Sequence, residues 1–153
     1  MTWGNKAHTL HTTLHYPALP PTTPHISSIY CMQLVALFPD PKKVVAGVWS
    51  GEVLTVDIRS VEIEKRHVGH MSKVTSVAVS GDGWWMVSGS WDGTVRRWNV
   101  EGGVDIGDPV VGHEGGVESV AMNEDHDVIA SGGGDGTVRL WKMSASEVIG
   151  KPL

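Results

Sequence analysis

Histidine, serine and aspartate are the residue types of an acyl-transfer triad, and this chain carries them twice at one spacing. The trios are His70, Ser88 and Asp92, then His113, Ser131 and Asp135. A serine nucleophile needs a base within hydrogen-bond reach and a third group to orient that base. Each trio is also followed, six residues after its aspartate, by a tryptophan: Trp98 and Trp141. A catalytic centre needs one nucleophile and one oxyanion pocket, whereas a structural set needs one copy per repeated unit. Duplication with an added indole therefore favours structural use, no residue is assigned as catalytic, and a small hydrolase is the weakest reading.

Other chemistry-bearing patterns carry less. His8, His11 and His15 would share one face of a helix, as metal ligands often do, but the Thr and Pro around them oppose a helix and no metal is assigned. The run SGGGDGT, Ser131 to Thr137, has a phosphate-loop composition, yet it turns one strand back into another with no helix or lysine behind it. The pairs Glu62/Glu64 and Glu124/Asp125 read as solvated faces. No cofactor is implied.

The elements that must position the two trios form a repeat. Residues 69–110 overlay 112–153 without a gap, and 18 of 42 positions are identical. Unrelated windows would agree at about one position in fifteen. In each copy Asp92-Gly93 or Asp135-Gly136 separates two β-rich runs, MVSGS from TVRRW and IASGG from TVRLW. Both residues of such a dipeptide tolerate positive φ, which predicts a tight hairpin. KVTSVAVS and GVESVAMN upstream are short strands, and GVDIGDPVV downstream is a fourth extended run. Each copy thus predicts one small four-stranded antiparallel sheet.

Gly-His, an Asp after 22 residues and a Trp six further on resemble the WD-repeat (WD40) family, whose repeats build the four-stranded blades of a β-propeller. The resemblance implies two buried hydrogen-bonded tetrads, His70, Ser88, Asp92 and Trp98 in one blade and His113, Ser131, Asp135 and Trp141 in the next. It also implies a rigid platform for protein or peptide partners, bound on the face formed by the loops after Gly-His and the turns before Asp. By position that face carries Trp49, Trp91 and Gly134, with Met71, Ser72, Lys73, Glu114 and Gly115. Trp is enriched at binding hot spots, which singles out Trp49 and Trp91. The spacing Ile-Gly-x-Pro before Gly-His further resembles the repeat arrays of large fungal signalling ATPases.

An eroded copy precedes the two clear ones. At an offset of 42, Asp40, Val45, Gly47, Trp49, Gly51 and Val53 match Asp82, Val87, Gly89, Trp91, Gly93 and Val95. Its tetrad positions hold Ser28, Ala46, Ser50 and Val56, a wholesale replacement that leaves no single buried group unpaired. The expected architecture is all-β, a partial β-propeller of three blades. A degenerate blade covers 26–67, and two WD blades cover 68–110 and 111–153. Residues 1–25, rich in His, Thr and Pro with no acidic residue, predict a disordered tail. Trp85 is expected to be partly buried and Trp84 exposed. Arg97, opposite Leu140 in the overlay, is expected to snorkel to solvent or to find a carboxylate.

Three blades do not close a propeller, which typically takes four to eight. The first and last blades should keep a bare face, so the chain is expected to be a piece of a longer propeller or to pair, with itself or with another chain, as an architectural subunit. A net charge of −5 argues against nucleic acid, and no apolar run is long enough to span a membrane as a helix. The single Cys31 permits no internal disulfide, and the expected location is cytoplasmic or nuclear.

Overall fold

The computed structural model describes residues 32–125, 127–145 and 147–153; the predicted N-terminal tail and Ser28 lie outside them. No helix occurs among the described residues. The first sheet runs β1 (Met32–Leu37), β2 (Lys43–Val48), β3 (Glu52–Asp57) and β4 (Glu62–Val68), in that order and antiparallel. The second contains β5 (Val74–Val79), β6 (Trp85–Ser90) and β7 (Thr94–Asn99). Its outer edge is split into β8 (Val104–Asp105) and β9 (Val110–Val111), both paired with β7. The third contains β10 (Val117–Met122), β11 (Val128–Gly133) and β12 (Val138–Lys142). Reciprocal backbone bonds between Val138 and Leu153, 2.9 and 3.0 Å, give its edge the pairing that Val95 and Val110 have in the second sheet. The all-β partial propeller expected from the repeat is the architecture found, with sheets of four, five and three strands.

The hairpin differs from a two-residue turn. In all three sheets the loop has an extra residue: Gly51, Gly93 and Gly136 donate to the carbonyls of Val48, Ser90 and Gly133, at 3.0 to 3.1 Å. Only the glycine has positive φ, 90°, 83° and 76° in turn; Asp92 and Asp135 do not. The three-residue loop frees the aspartate from the left-handed region, so its carboxylate can be spent elsewhere.

The sheets interlock through a strand glycine. A Cβ on Gly47 would stand 2.7 Å from Cγ1 of Val74, and one on Gly89 would stand 2.5 Å from Cγ1 of Val117. A glycine inside a strand marks close approach of a neighbour, here the first residue of the next sheet's first strand. Each such strand carries a register shift at that place, between Met32 and Leu34, Val74 and Ser76, and Val117 and Ser119. The bulge lets Thr75 Oγ1 donate to the carbonyls of both Gly89 and Val117. Around these contacts lie two apolar clusters. Phe38, Val45, Val53, Val74, Val77, Met86 and Trp98 pack between the first and second sheets. Val87, Val95, Val110, Val117, Val120, Ile129, Trp141 and Met143 pack between the second and third. A smaller cluster, Ala46, Val48, Leu54 and Val56, lies on the other face of the first sheet.

Trp84 is exposed and Trp85 half-buried, as expected. Arg97 does not snorkel. It is buried, and its guanidinium donates to the carbonyls of Met143 at 2.8 Å and Asp108 at 3.1 Å, tying the second sheet to the end of the third. Burial lowers its pKa, and the Asp108 carboxylate opposes that by supporting its charge.

Because Gly89 is the seat for Val117, Gly89→Ala should destabilise the fold by about 1–3 kcal/mol through overpacking, read as a lower urea midpoint.

Candidate functional site

Two groups of side chains were singled out by sequence, and the structure places them differently. The first is internal. Trp98 Nε1–H donates to Ser88 Oγ at 2.8 Å, Ser88 Oγ lies 2.7 Å from His70 Nε2, and His70 Nδ1 lies 2.9 Å from Asp92 Oδ2. The Asp92 carboxylate can only accept, which assigns the proton of the neutral ring to Nδ1; Nε2 then accepts from the serine hydroxyl, whose oxygen takes the indole N–H. Asp92 accepts further bonds from the Met71 and Thr94 amides, both at 2.9 Å, and from Thr94 Oγ1 at 2.6 Å. The next copy matches: Trp141 Nε1 to Ser131 at 2.7 Å, Ser131 to His113 Nε2 at 2.8 Å, and His113 Nδ1 to Asp135 at 3.1 Å.

The electrostatics follow from these bonds. Burial raises the Asp92 carboxyl, but the hydroxyl and amide donors of Thr94 and Met71 outweigh it and hold the group below its ordinary range. Asp135 is depressed in the same way against the same opposition. Burial lowers His70, with Asp92 pulling the other way, so the ring is neutral at pH 7. Gly69 and Gly112 precede the histidines because a Cβ there would press on Arg96 and the Trp98 ring, or on the Trp141 ring. In the first sheet Ala46, Ser50 and Val56 hold the equivalent described positions, and Ser50 instead donates to Glu52 at 3.0 Å.

Ser88 to His70 to Asp92 has the order of an acyl-transfer triad. Ser88 Oγ is nevertheless fully buried, and it is bonded on one side by the indole and on the other by the imidazole. A substrate carbonyl would have to displace both partners to reach it. Among the described residues no three His, Cys, Asp or Glu gather as metal ligands; His8, His11 and His15 lie outside them.

The second group is a rim. Trp49 and Trp91 stand on the β2–β3 and β6–β7 hairpins, half-exposed, with Lys73 between them. The ammonium lies 3.2 Å from the Trp91 ring centroid and 5.2 Å from that of Trp49. Trp91 Nε1–H continues the line into the third sheet, donating to Glu118 at 3.2 Å. Met71 is fully exposed beside them. The Ser72 carbonyl accepts from Ser90 Oγ at 3.1 Å. Gly115 seats the Gly93 turn, Glu114 stands exposed in the next sheet's loop, and Gly134 offers no side chain.

The family model described as WD domain, G-beta repeat, matches residues 62–99 and 109–142. The matches at these two positions support a WD-repeat family. Each match opens in the outer strand of one sheet and runs through three strands of the next, so a WD40 repeat here straddles two sheets. No curated protein matches the chain.

Three residues escaped the sequence reading. Thr94 and Thr137, each two residues after its aspartate, are fifth members of the tetrads, and their identity in both copies was the available signal. His67 on β4 gave none. It is buried 3.2 Å from Thr55 Oγ1, its ring edge meets Trp98 at 5.6 Å, and its Nδ1 has no partner among the described residues.

Ser88→Ala leaves an indole donor and an imidazole acceptor buried and unpaired, so it should cost about 1–3 kcal/mol, and Ser131→Ala a comparable amount, by denaturant unfolding. A much larger cost for one of them would break the equivalence of the two sets. Burial, aided by Lys65, lowers His67 from 6.5 to about 4. The unfolded chain therefore takes up a proton that the folded chain refuses as pH falls through that window, and stability drops there. His67→Gln should show a flatter fall of urea midpoint between pH 6.5 and 4 than the parent chain.

Proposed function

We propose that this chain is a non-catalytic scaffold that binds a protein or peptide partner through the rim of Trp49, Lys73 and Trp91. The observation that carries the reading is the half-exposed tryptophan pair, 50% and 53% accessible, with a lysine ammonium laid over both rings. Stacking holds Lys73 in place while leaving its donors free for a partner's carboxylate or carbonyl, and rigid aromatic area costs little entropy to present. Met71 widens the apolar surface, and Glu114 adds an acidic margin. WD40 repeats generally mediate protein–protein interaction, which supports the same reading.

The burial of Ser88 and Ser131 weighs against the hydrolase alternative. A net charge of −5 speaks against nucleic acid, and we place the chain away from membranes, in the cytoplasm or nucleus, without a cofactor. The Ile106-Gly107-x-Pro109 and Ile149-Gly150-x-Pro152 spacings support kinship with sensor arrays of fungal signalling ATPases.

Affinity capture from a cell extract, followed by titration of the captured partner, tests the rim. A Trp49→Ala/Trp91→Ala variant should bind at least about tenfold more weakly, since hot-spot tryptophans each contribute about 2 kcal/mol or more. Trp84→Ala, equally exposed at the opposite end of β6, should bind as the parent does. Equal binding by all three proteins would remove the rim from the interface.

A further inference from the structure

Lys73 is held in place by everything except a carboxylate. Its main-chain carbonyl accepts from the Trp91 amide at 3.1 Å, and its ammonium lies 3.2 Å from the Trp91 ring centroid and 5.2 Å from that of Trp49. The first sheet wedges the loop that carries it, since a Cβ on Gly51, in the hairpin of Trp49, would stand 3.0 Å from the Ser72 carbonyl. The third sheet seats Trp91 as closely. A Cβ on Gly116 would come within 2.9 Å of Trp91 Cδ1, and Glu118 accepts the indole proton at 3.2 Å. The ammonium and both rings are therefore set before any partner arrives, which lowers the ordering cost of binding.

The carboxylates of these hairpins and of β10 are committed elsewhere. Asp92 serves His70, Thr94 and the Met71 amide, Glu118 serves the Trp91 indole, and Glu52 meets Arg66 at 3.2 Å. Lys43, Arg66, Arg96 and Lys142 each meet a carboxylate, but Lys73 has no ion pair among the described residues. Acids are not scarce: the chain has 17 against 12 lysines and arginines. The rings stabilise the ammonium without neutralising it, and its N–H donors remain for an acceptor.

We infer that the rim takes an acidic peptide, one of whose carboxylates bonds the Lys73 ammonium while a neighbouring apolar side chain lies against Trp49 and Met71. The inference rests on the rim reading above and adds the chemistry of the ligand to it. Charge complementarity carries it. Glu114 and Glu118 stand exposed on the third-sheet side and repel a carboxylate there. The ligand therefore enters from the first-sheet side, over Trp49, where the ammonium stands farther from the ring and Glu52 is answered by Arg66. A basic peptide would have to expel Lys73 from between the rings against the main-chain bond that fastens it to Trp91.

Selection from a random displayed-peptide library on the full chain, followed by titration of the selected peptides through tryptophan fluorescence, tests this. The peptides should be rich in Asp and Glu, and should bind more weakly as salt is raised. Lys73→Gln should weaken them at least about tenfold, and Lys73→Arg, which restores the cation, should recover most of the loss. Both variants keep the main-chain bond to Trp91 and should keep the parent's circular dichroism. Should Lys73→Gln fail to fold, replacing the peptides' own acids by their amides makes the same test on the parent chain, with the same loss expected. An empty selection, basic or neutral peptides, or acidic peptides indifferent to Lys73→Gln and to their own amidation would overturn the inference. Where such indifferent peptides are still lost with Trp49→Ala/Trp91→Ala, the rim stands and the acidic ligand alone falls. Where that double variant also binds them as the parent does, the rim falls too.

Discussion

A buried indole N–H must be paired, and in each clear repeat one serine hydroxyl does it. Ser88 accepts from Trp98 on β7 and passes its own proton to His70, which passes another to Asp92 in the hairpin. Four groups that would each be costly to bury alone are thus bonded in one line with a single proton order. The line runs from the third strand through the second to the loop before the first, so it fixes the sheet across its width. It also fixes the hairpin: Asp92 can accept four bonds because the three-residue loop spares it the left-handed conformation and leaves that to Gly93. The first sheet keeps its four strands without the line because every described member is replaced together, and Ala46 and Val56 leave nothing polar to orphan.

Between sheets the constraint is steric. Glycine in β2 and β6 admits a valine methyl from the next sheet, and the bulge at the start of each first strand aims that valine. Apolar clusters then close over the contact from both sides. Directional bonds cross the same gap: Thr75 reaches the Val117 carbonyl, the Val120 amide donates to Ser76 Oγ at 3.0 Å, and Arg97 caps carbonyls at the far edge. Adjacent sheets are therefore held in one registration rather than sliding as two greasy faces would.

What was legible in the sequence is what repeats. Strands, hairpins and tetrads recur at a fixed offset, so one copy checks the other, and Ser88 could be separated from a nucleophile because Ser131 duplicates it. What was not legible depends on unique neighbours. Arg97 reads as a side chain that must reach solvent or a carboxylate; it is buried, the Asp108 carboxylate supports its charge, and the carbonyls of Asp108 and Met143 that it also meets, the second 46 residues away, could not be named from a local pattern. His67 belongs to no motif; it is buried because β4 lies against the Trp98 ring. The hairpin was misjudged by one residue because Asp-Gly is compatible with both loop lengths, and the choice is made by the bonds the carboxylate finds. The pairing of Trp49 and Trp91 through Lys73 needs two sheets side by side, which no local pattern states.

The distribution of tryptophan separates structural use from display. Trp98 and Trp141 occur with complete tetrads, and Val56 stands where the tetrad is missing, so the strand indole and the polar set come and go together. The hairpin indoles do not obey that rule. Trp49 is present in the sheet whose described tetrad positions are all replaced, while the third sheet has a full tetrad and only Gly134 in its hairpin. A hairpin tryptophan is therefore neither required by the tetrad nor supplied with it, and half of its surface stays in water at a cost the fold does not need. Lys73, drawn over both rings, adds a cation whose stacking is independent of the core. The rim is therefore built apart from the tetrads: Trp49 and Trp91 meet through Lys73, and the Trp91 indole is tied to Glu118 of the third sheet instead of to a strand serine.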